Sequence, residues 1–123
     1  MKKADMIVRI LLGLMMIVFG LNKFLHFIPM PPPNDNVVTV FGALMLMGVL
    51  PVVAVIEIVG GLLLLLNKQV GVALSFLAPV AFCAFLFHLM LDPAGIGGAV
   101  FFLSAVTFLI FTRKNQFKTI LDE

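Results

Sequence analysis

The chain has 123 residues, of which 63% are apolar and only 11% are charged. Soluble domains carry about 25% charged residues, so this composition excludes a soluble globular enzyme, a disordered chain and a nucleic-acid binder. Eight Lys or Arg against six Asp or Glu give a formal net charge of +2, and the positive excess lies at the two termini. The composition is that of an integral membrane protein.

The single cysteine, Cys83, narrows the chemistry further. One thiol allows no intrachain disulfide and no C-x-x-C dithiol relay. It also excludes a Cys-rich zinc site, and we predict no bound metal. Because Cys83 lies within an apolar run, we expect it to be a small core residue.

The first predicted element is a membrane-spanning helix over residues 6–27, since a span needs about 20 apolar residues. Residues 22–26 offer no small-residue cleavage site, so we expect this helix to stay in the mature protein rather than act as a signal peptide. Residues 29–36 contain three consecutive prolines and are predicted to form a loop. Asn34, Asp35 or Asn36 is expected to cap the helix that follows.

The apolar segment over residues 37–66 is too long for one span, and Gly48 and Pro51 divide it. Residues 37–49 would form about 20 Å of helix, which is too short to cross a bilayer. We therefore predict a short re-entrant or interfacial helix there. The second span follows over residues 51–66, with Pro51 in its first turn, where the missing N–H costs little.

The rest of the chain predicts two more spans separated by short turns. Residues 67–69 form a tight turn before the third span at 70–90. Residues 91–95 form the next turn before the fourth span at 96–112, which the basic segment 113–118 ends. We thus predict an all-α membrane protein, a single domain over residues 1–123, with four transmembrane helices and a short helix before the second span.

Most basic residues fall on one side of the membrane in this arrangement, whereas Asp35 and Asp92 lie on the other. Among the basic residues, only Lys23 lies near the acidic side. Lys and Arg mark the cytoplasmic side of membrane proteins, so we expect both termini to be cytoplasmic. The basic residues on that side are Lys2, Lys3, Arg9, Lys68, Arg113, Lys114 and Lys118.

Polar residues are rare within the spans, and each is a functional candidate because burying polar groups in a bilayer is costly. Asn22 and Lys23 lie near the outer end of the first span, Glu57 lies in the second and His88 near the outer end of the third. Helical spacing places them on stripes that contain small residues, which allow close helix approach. We expect these stripes to face the bundle interior. The first stripe contains Arg9, Gly13, Met16, Gly20 and Lys23, and the second contains Glu57, Gly60 and Gly61.

Two interpretations of these polar residues stay open. Glu57 and Lys23 form either a buried ion pair that braces two helices, or a site in which Glu57 carries protons or binds a polar ligand. His88 is either a packing residue or a ligand-binding group, for which nearby aromatic residues including Phe85 offer a quinone pocket. Arg9 is expected to extend to the lipid headgroups.

Taken together, the order and spacing of these residues resemble the DoxX family of small bacterial membrane proteins. The resemblance is carried by Arg9, Gly13, Phe19-Gly20, Asn22-Lys23, Pro51, Glu57, Gly60-Gly61 and the segment from Phe87 to Ile96, and it spans nearly the whole chain. It implies four transmembrane helices and an association with quinol oxidation or thiosulfate:quinone oxidoreduction.

The resemblance leads to a functional hypothesis. The chain would be a subunit or accessory of a quinone-linked redox system in the bacterial inner membrane, and an oxidoreductase partner protein would supply the electron carrier. Lys23, Glu57 and His88 would form a catalytic proton and quinone cluster, with His88, Phe85 and Asn22 binding the quinone. The alternatives are a non-enzymatic anchor or assembly factor, and a carrier for protons or a small solute, which would require a homo-oligomer because four spans provide no duplicated halves.

Overall fold

The computed structural model describes residues 2–28 and 33–121, with residues 119–121 described by their backbone alone. All regular structure within these residues is helical, which confirms the predicted all-α class. A 3-10 turn at Pro93–Gly95 separates the fourth and fifth α-helices. The α-helices are α1 Lys2–Leu25, α2 Asp35–Leu46, α3 Val49–Leu66, α4 Val70–Leu91, α5 Ile96–Thr112 and α6 Lys114–Leu121.

Four helical segments are long and apolar enough to cross a membrane. They are Lys2–Leu25, Val49–Leu66, Val70–Leu91 and Pro93–Thr112, and α2 is a shorter apolar helix between the first two. This confirms the predicted four spans and the short helix before the second span. Because successive spans alternate in direction, α1 begins at the same end of the bundle at which α3 ends, here called the terminal end. The opposite end, where α1 and α4 end, is called the far end.

The first helix is displaced from the predicted residues 6–27 at both limits. It begins at Lys2 because its first turn, although polar, is also helical. A hydropathy pattern detects apolar residues and therefore misses this turn. It ends at Leu25, after which His26 adopts a positive φ of 52°. Asn22 closes this end: its carbonyl accepts from the His26 N–H at 2.8 Å, and its side-chain Oδ1 accepts from the Ile28 N–H at 2.8 Å.

The junction between α2 and α3 lies at Gly48, whose φ of 78° is the left-handed conformation that glycine adopts without strain. The helix α3 begins at Val49, so Pro51 lies in its first turn, as predicted. At the other end of α2, Asn34 is the N-cap, and its side chain accepts a hydrogen bond from the Val37 N–H at 2.9 Å. Residues 29–32 of the predicted loop lie outside the described residues.

The core forms where α1 packs along α3, α3 packs against α4, and α4 packs against α5. Its fully buried side chains are mostly leucines that alternate with small residues, so the helices approach closely. The outer faces carry many exposed apolar side chains, as lipid contact requires. The largest buried side chains are Leu12, Met16, Leu64, Leu74, Leu77, Val106 and Leu109.

One expectation about the apolar faces is wrong. Cys83 is exposed rather than in the core, because it lies two residues after the buried Ala81, about 200° further around a helix with 3.6 residues per turn. At the other end of the chain, α5 ends at Thr112, with Arg113 of the basic segment as its C-cap. After Arg113 the chain continues as α6, Lys114–Leu121.

Candidate functional site

The first two long helices touch through glycines. A Cβ atom added to Gly61 would lie 2.7 Å from the Gly13 carbonyl oxygen, and one added to Gly20 would lie 3.0 Å from the Ala54 carbonyl oxygen. No side chain fits at such distances, so the backbones of α1 and α3 are in direct contact. The pairing of 13 with 61 and 20 with 54 also shows that the two helices are antiparallel.

Lys23 and Glu57 join these two helices by an ion pair, with Nζ 2.6 Å from Oε1. Side chains on a helix lean toward its N-terminus, so in an antiparallel pair the two side chains lean toward each other. The space at Gly20 lets them meet, since a Cβ there would lie 3.2 Å from the Glu57 Cβ. The Glu57 side chain is 6% exposed and the Lys23 side chain 30% exposed, so the carboxylate is buried while its cation keeps access to the surroundings.

His88 belongs to a second polar site at the far end. Its Nδ1 lies 3.3 Å from the Asp92 carbonyl oxygen and 3.4 Å from the Asp92 carboxylate. The Asp92 N–H in turn donates to the His88 carbonyl at 3.1 Å, which closes the end of α4. Within residues 2–28 and 33–121, His88 shares no hydrogen bond or ion pair with Lys23 or Glu57. The structure therefore divides the polar residues into two pairs.

Aromatic rings cover one side of this second site. Phe87 stacks on Phe41 of α2, with ring centroids 5.0 Å apart and planes inclined by 6°, and it meets the His88 ring edge-on at 5.3 Å. The Asn34 side chain also donates to the Leu91 carbonyl at 2.9 Å, so α2 is held beside the end of α4. Phe85 is half-buried and makes no aromatic contact in the described part of the chain. The aromatic neighbour of His88 is Phe87.

Asn22, the other expected quinone contact, caps the C-terminal end of α1. Both its backbone carbonyl and its side-chain oxygen accept hydrogen bonds from residues that follow the helix. These bonds satisfy groups that a helix terminus otherwise leaves without partners. The role visible in the structure is therefore that of a helix cap.

Arg9 is buried, 8% exposed, and does not extend to the headgroups as expected. Its guanidinium donates to the carbonyl of Leu64, and to that of Leu65 at 3.4 Å. These carbonyls lie at the C-terminus of α3, where the last four lack partners within the helix. Arg9 therefore bonds carbonyls at the end of α3 and adds a second polar link between α1 and α3.

A further polar cluster, which the sequence interpretation missed, lies at the terminal end. The Arg113 guanidinium donates to the Asp5 carboxylate, and Thr112 donates to the same carboxylate at 2.5 Å. This cluster joins α1 to the end of α5. Its residues are more than 100 positions apart in the sequence, so no local spacing pattern predicts that they pair. The one sequence feature that pointed to this cluster is the acidic residue Asp5 in the first turn of α1. An open cleft of about 640 Å³ lies beside the cluster, lined by polar residues that include Asn67, Gln69, Ser75, Arg113 and Gln116.

Potential metal ligands are not grouped. Across the residues that the structure describes, no three His, Cys, Asp or Glu side chains lie close enough together to hold a metal ion. The chemistry that the two polar pairs offer is hydrogen bonding and proton exchange by Glu57 and His88.

Comparison with known proteins identifies a family. A family model described as DoxX matches residues 4–89, which is more than half of the chain and includes Lys23, Glu57 and His88. The matched region ends before Asp92 and the turn that follows it. Neither a curated protein nor a solved structure matches this chain.

Proposed function

The chain belongs to the DoxX family of integral membrane proteins, and we propose that it is a subunit or accessory of a quinone-linked redox system. It is a multi-pass protein with four apolar helices, and its outer faces contact lipid. In this proposal both termini are on the cytoplasmic side of the bacterial inner membrane, since the terminal end carries Lys2, Lys68 and Arg113.

The observation that supports this function is the arrangement around His88. A quinone headgroup is a flat ring with two oxygens, so it needs a hydrogen-bonding partner and an apolar, preferably aromatic, neighbour. His88 provides the first and the Phe87–Phe41 stack provides the second. The His88 side chain is 26% exposed, which leaves it accessible. The residues present at the far end therefore fit such a group.

Each polar residue has a part in the proposal. A bound quinone would supply two-electron, two-proton redox chemistry. The His88 ring nitrogen that Asp92 does not engage would share a hydrogen bond with a hydroxyl of the reduced form. Glu57 takes up and releases protons, and Lys23 stabilises the ionised carboxylate between turnovers. Because Lys23 is partly exposed, the pair keeps a route to water or headgroups. An oxidoreductase partner protein carries the electrons.

A second candidate function is a non-enzymatic membrane anchor or assembly factor. The observation that favours it is the Lys23–Glu57 pair itself, which is short, buried at its carboxylate and surrounded by the glycine contacts of α1 and α3. A pair of this kind holds two helices together without any chemistry. In that case Glu57 would affect assembly alone.

The substitution Glu57→Gln distinguishes the two functions. Glutamine still accepts a hydrogen bond from Lys23, and Lys23 is exposed enough to stay hydrated, so we expect the folded yield to remain within about twofold of wild type. Quinol-linked electron transfer should be measured in native membranes that carry the variant at wild-type expression level. The redox proposal predicts a loss of at least tenfold.

The matched control is Thr107→Val, which removes a polar group that bonds only within its own helix, to the Leu103 carbonyl. Its electron-transfer rate should equal that of wild type. If the Glu57→Gln rate stays at the wild-type level, or falls only in proportion to the folded yield, the proton role is wrong and the anchor function is the better account.

A further inference from the structure

The turn after α4 closes directly over the His88 ring. A Cβ added to Gly95 would lie 2.8 Å from the His88 Cε1, 2.9 Å from its Nδ1 and 3.0 Å from the Asp92 Oδ2. The backbone of Gly95 has a φ of −95°, which any residue adopts. Its lack of a side chain is therefore needed for space, not for backbone conformation.

The same turn fixes the partners of Nδ1. The Asp92 carbonyl oxygen accepts from the Gly95 N–H at 3.1 Å and lies 3.3 Å from the His88 Nδ1. The Asp92 carboxylate lies 3.4 Å from the same nitrogen. A carbonyl and an ionised carboxylate can only accept hydrogen bonds. Nδ1 must therefore carry the proton, and in a neutral imidazole Nε2 is then an acceptor.

From this geometry we infer that Gly95 is a positioning residue which, with Asp92, holds the neutral His88 ring as an Nδ1–H tautomer, so that Nε2 accepts a hydrogen bond from a ligand hydroxyl. The inference rests on the proposed function for the identity of the ligand. A quinol presents hydroxyl donors, whereas a quinone presents only carbonyl acceptors. The neutral site consequently favours the reduced form.

Phe87 reinforces this orientation. Its ring meets the imidazole edge-on, with planes inclined by 88°, and is itself stacked on Phe41. The imidazole is thus bounded by an aromatic ring, by the Asp92 carboxylate and by the Gly95 backbone. A ring held on these sides keeps the same nitrogen toward Asp92.

The test uses ¹⁵N-histidine-labelled full-length protein in detergent micelles, at a pH where both imidazoles are neutral. The chain has two histidines, and a His26→Gln variant assigns the signals. We expect the wild-type His88 to show a protonated Nδ1 and an unprotonated Nε2. Gly95→Ala places a Cβ atom where the imidazole lies. The imidazole can rotate away from it without unfolding the protein, so we expect a folded protein with a changed ratio of the two His88 tautomers.

Gly97→Ala and Gly98→Ala are the matched controls, because a Cβ at either position meets nothing within 4 Å. Both should leave the His88 signals unchanged. An Nε2–H tautomer in the wild type overturns the inference, as does a Gly95→Ala spectrum identical to that of wild type.

A binding arm then tests the ligand. Decylubiquinol and decylubiquinone are titrated anaerobically into the same labelled protein, and we expect the quinol to bind at least tenfold more tightly, with its contact reported by the His88 Nε2 shift. Equal binding of the two forms overturns the selectivity. If neither form binds, the proposed quinone function fails, while the tautomer measurement still decides the role of Gly95.

Discussion

Lys23–Glu57 and His88–Asp92 are both pairs of a base with a carboxylate, but they are built differently. The first joins two helices whose backbones touch, and its carboxylate is almost fully buried. The second lies within one helix end, four residues apart, and both side chains are partly exposed. A buried interhelical pair is difficult to disturb without disturbing the packing of the two helices, whereas a partly exposed pair at the end of one helix can be altered without moving one helix against another. We therefore expect the α1–α3 interface to contribute most to the stability of the protein, and the His88 site to be more accessible to a ligand.

The largest effect is expected where the two backbones meet. Gly61→Leu places a side chain against the Gly13 carbonyl, which cannot move aside, and we expect a loss of at least about 3 kcal/mol in the free energy of unfolding. The monodisperse yield in detergent should fall at least tenfold. Gly42→Leu is the control, because nothing lies within 4 Å of a Cβ there. Equal yields for the two variants would contradict direct backbone contact.

Breaking the ion pair should be asymmetric. Lys23→Met leaves the buried Glu57 carboxylate without its cation and should cost about 3 kcal/mol. Glu57→Gln keeps a hydrogen-bond acceptor for Lys23 and should cost about 1 kcal/mol. The double variant should be more stable than Lys23→Met alone. Thermal unfolding in detergent, followed by circular dichroism, measures all three in one cycle. Strictly additive losses would show that the two side chains do not interact.

Arg9→Met tests the polar contact at the other end of the α1–α3 interface. It removes the charged donor of the buried Leu64 carbonyl, which keeps only the Asn67 N–H at 3.2 Å, and we expect a loss of about 2 kcal/mol in the free energy of unfolding. Lys68→Met is the control, since Lys68 is exposed, and its effect should stay within about 0.5 kcal/mol. If both variants unfold like wild type, Arg9 extends to the headgroups after all.

The smallest effect is expected at the periphery, where α2 lies beside α4. Asn34→Ala removes both the N-cap of α2 and the bond to the Leu91 carbonyl. The cost should be about 1 kcal/mol, confined to faster amide hydrogen exchange in α2 with unchanged protection in α1 and α3. The exposed neighbour Asn36, changed to Ala, should leave exchange unchanged. A loss of protection throughout α1 would show that α2 supports the whole bundle.

Hydropathy, proline and glycine positions were sufficient to predict the four spans, the short helix and the turns, because membrane helices must satisfy their own backbone hydrogen bonds. The inward stripe of α1 was predicted from its spacing, and its members Gly13, Met16 and Gly20 are buried, whereas Arg9 was expected to extend to the headgroups and is buried too. The helix limits at Lys2 and Leu25 depend on polar side chains and a left-handed residue, which hydropathy does not register.

The site was less predictable. Spacing put Lys23, Glu57 and His88 at similar depths but could not show which would touch, because depth leaves the angle around the bundle open. The Asp5–Arg113 pair and the Arg9 bond to Leu64 join residues far apart in the chain. The role of Gly95 depends on how a short turn folds back over His88, for which a lone glycine after a proline is only a general turn signal.

The redox function is tested most directly by purifying the protein from its native membranes in mild detergent, at native expression level, beside a His88→Leu variant. We predict a stoichiometric flavin, haem or iron–sulfur protein with the wild type, together with bound quinone. The variant should keep the partner protein and lose the quinone. A wild-type preparation that is colourless, without a partner and free of quinone would contradict the proposed function.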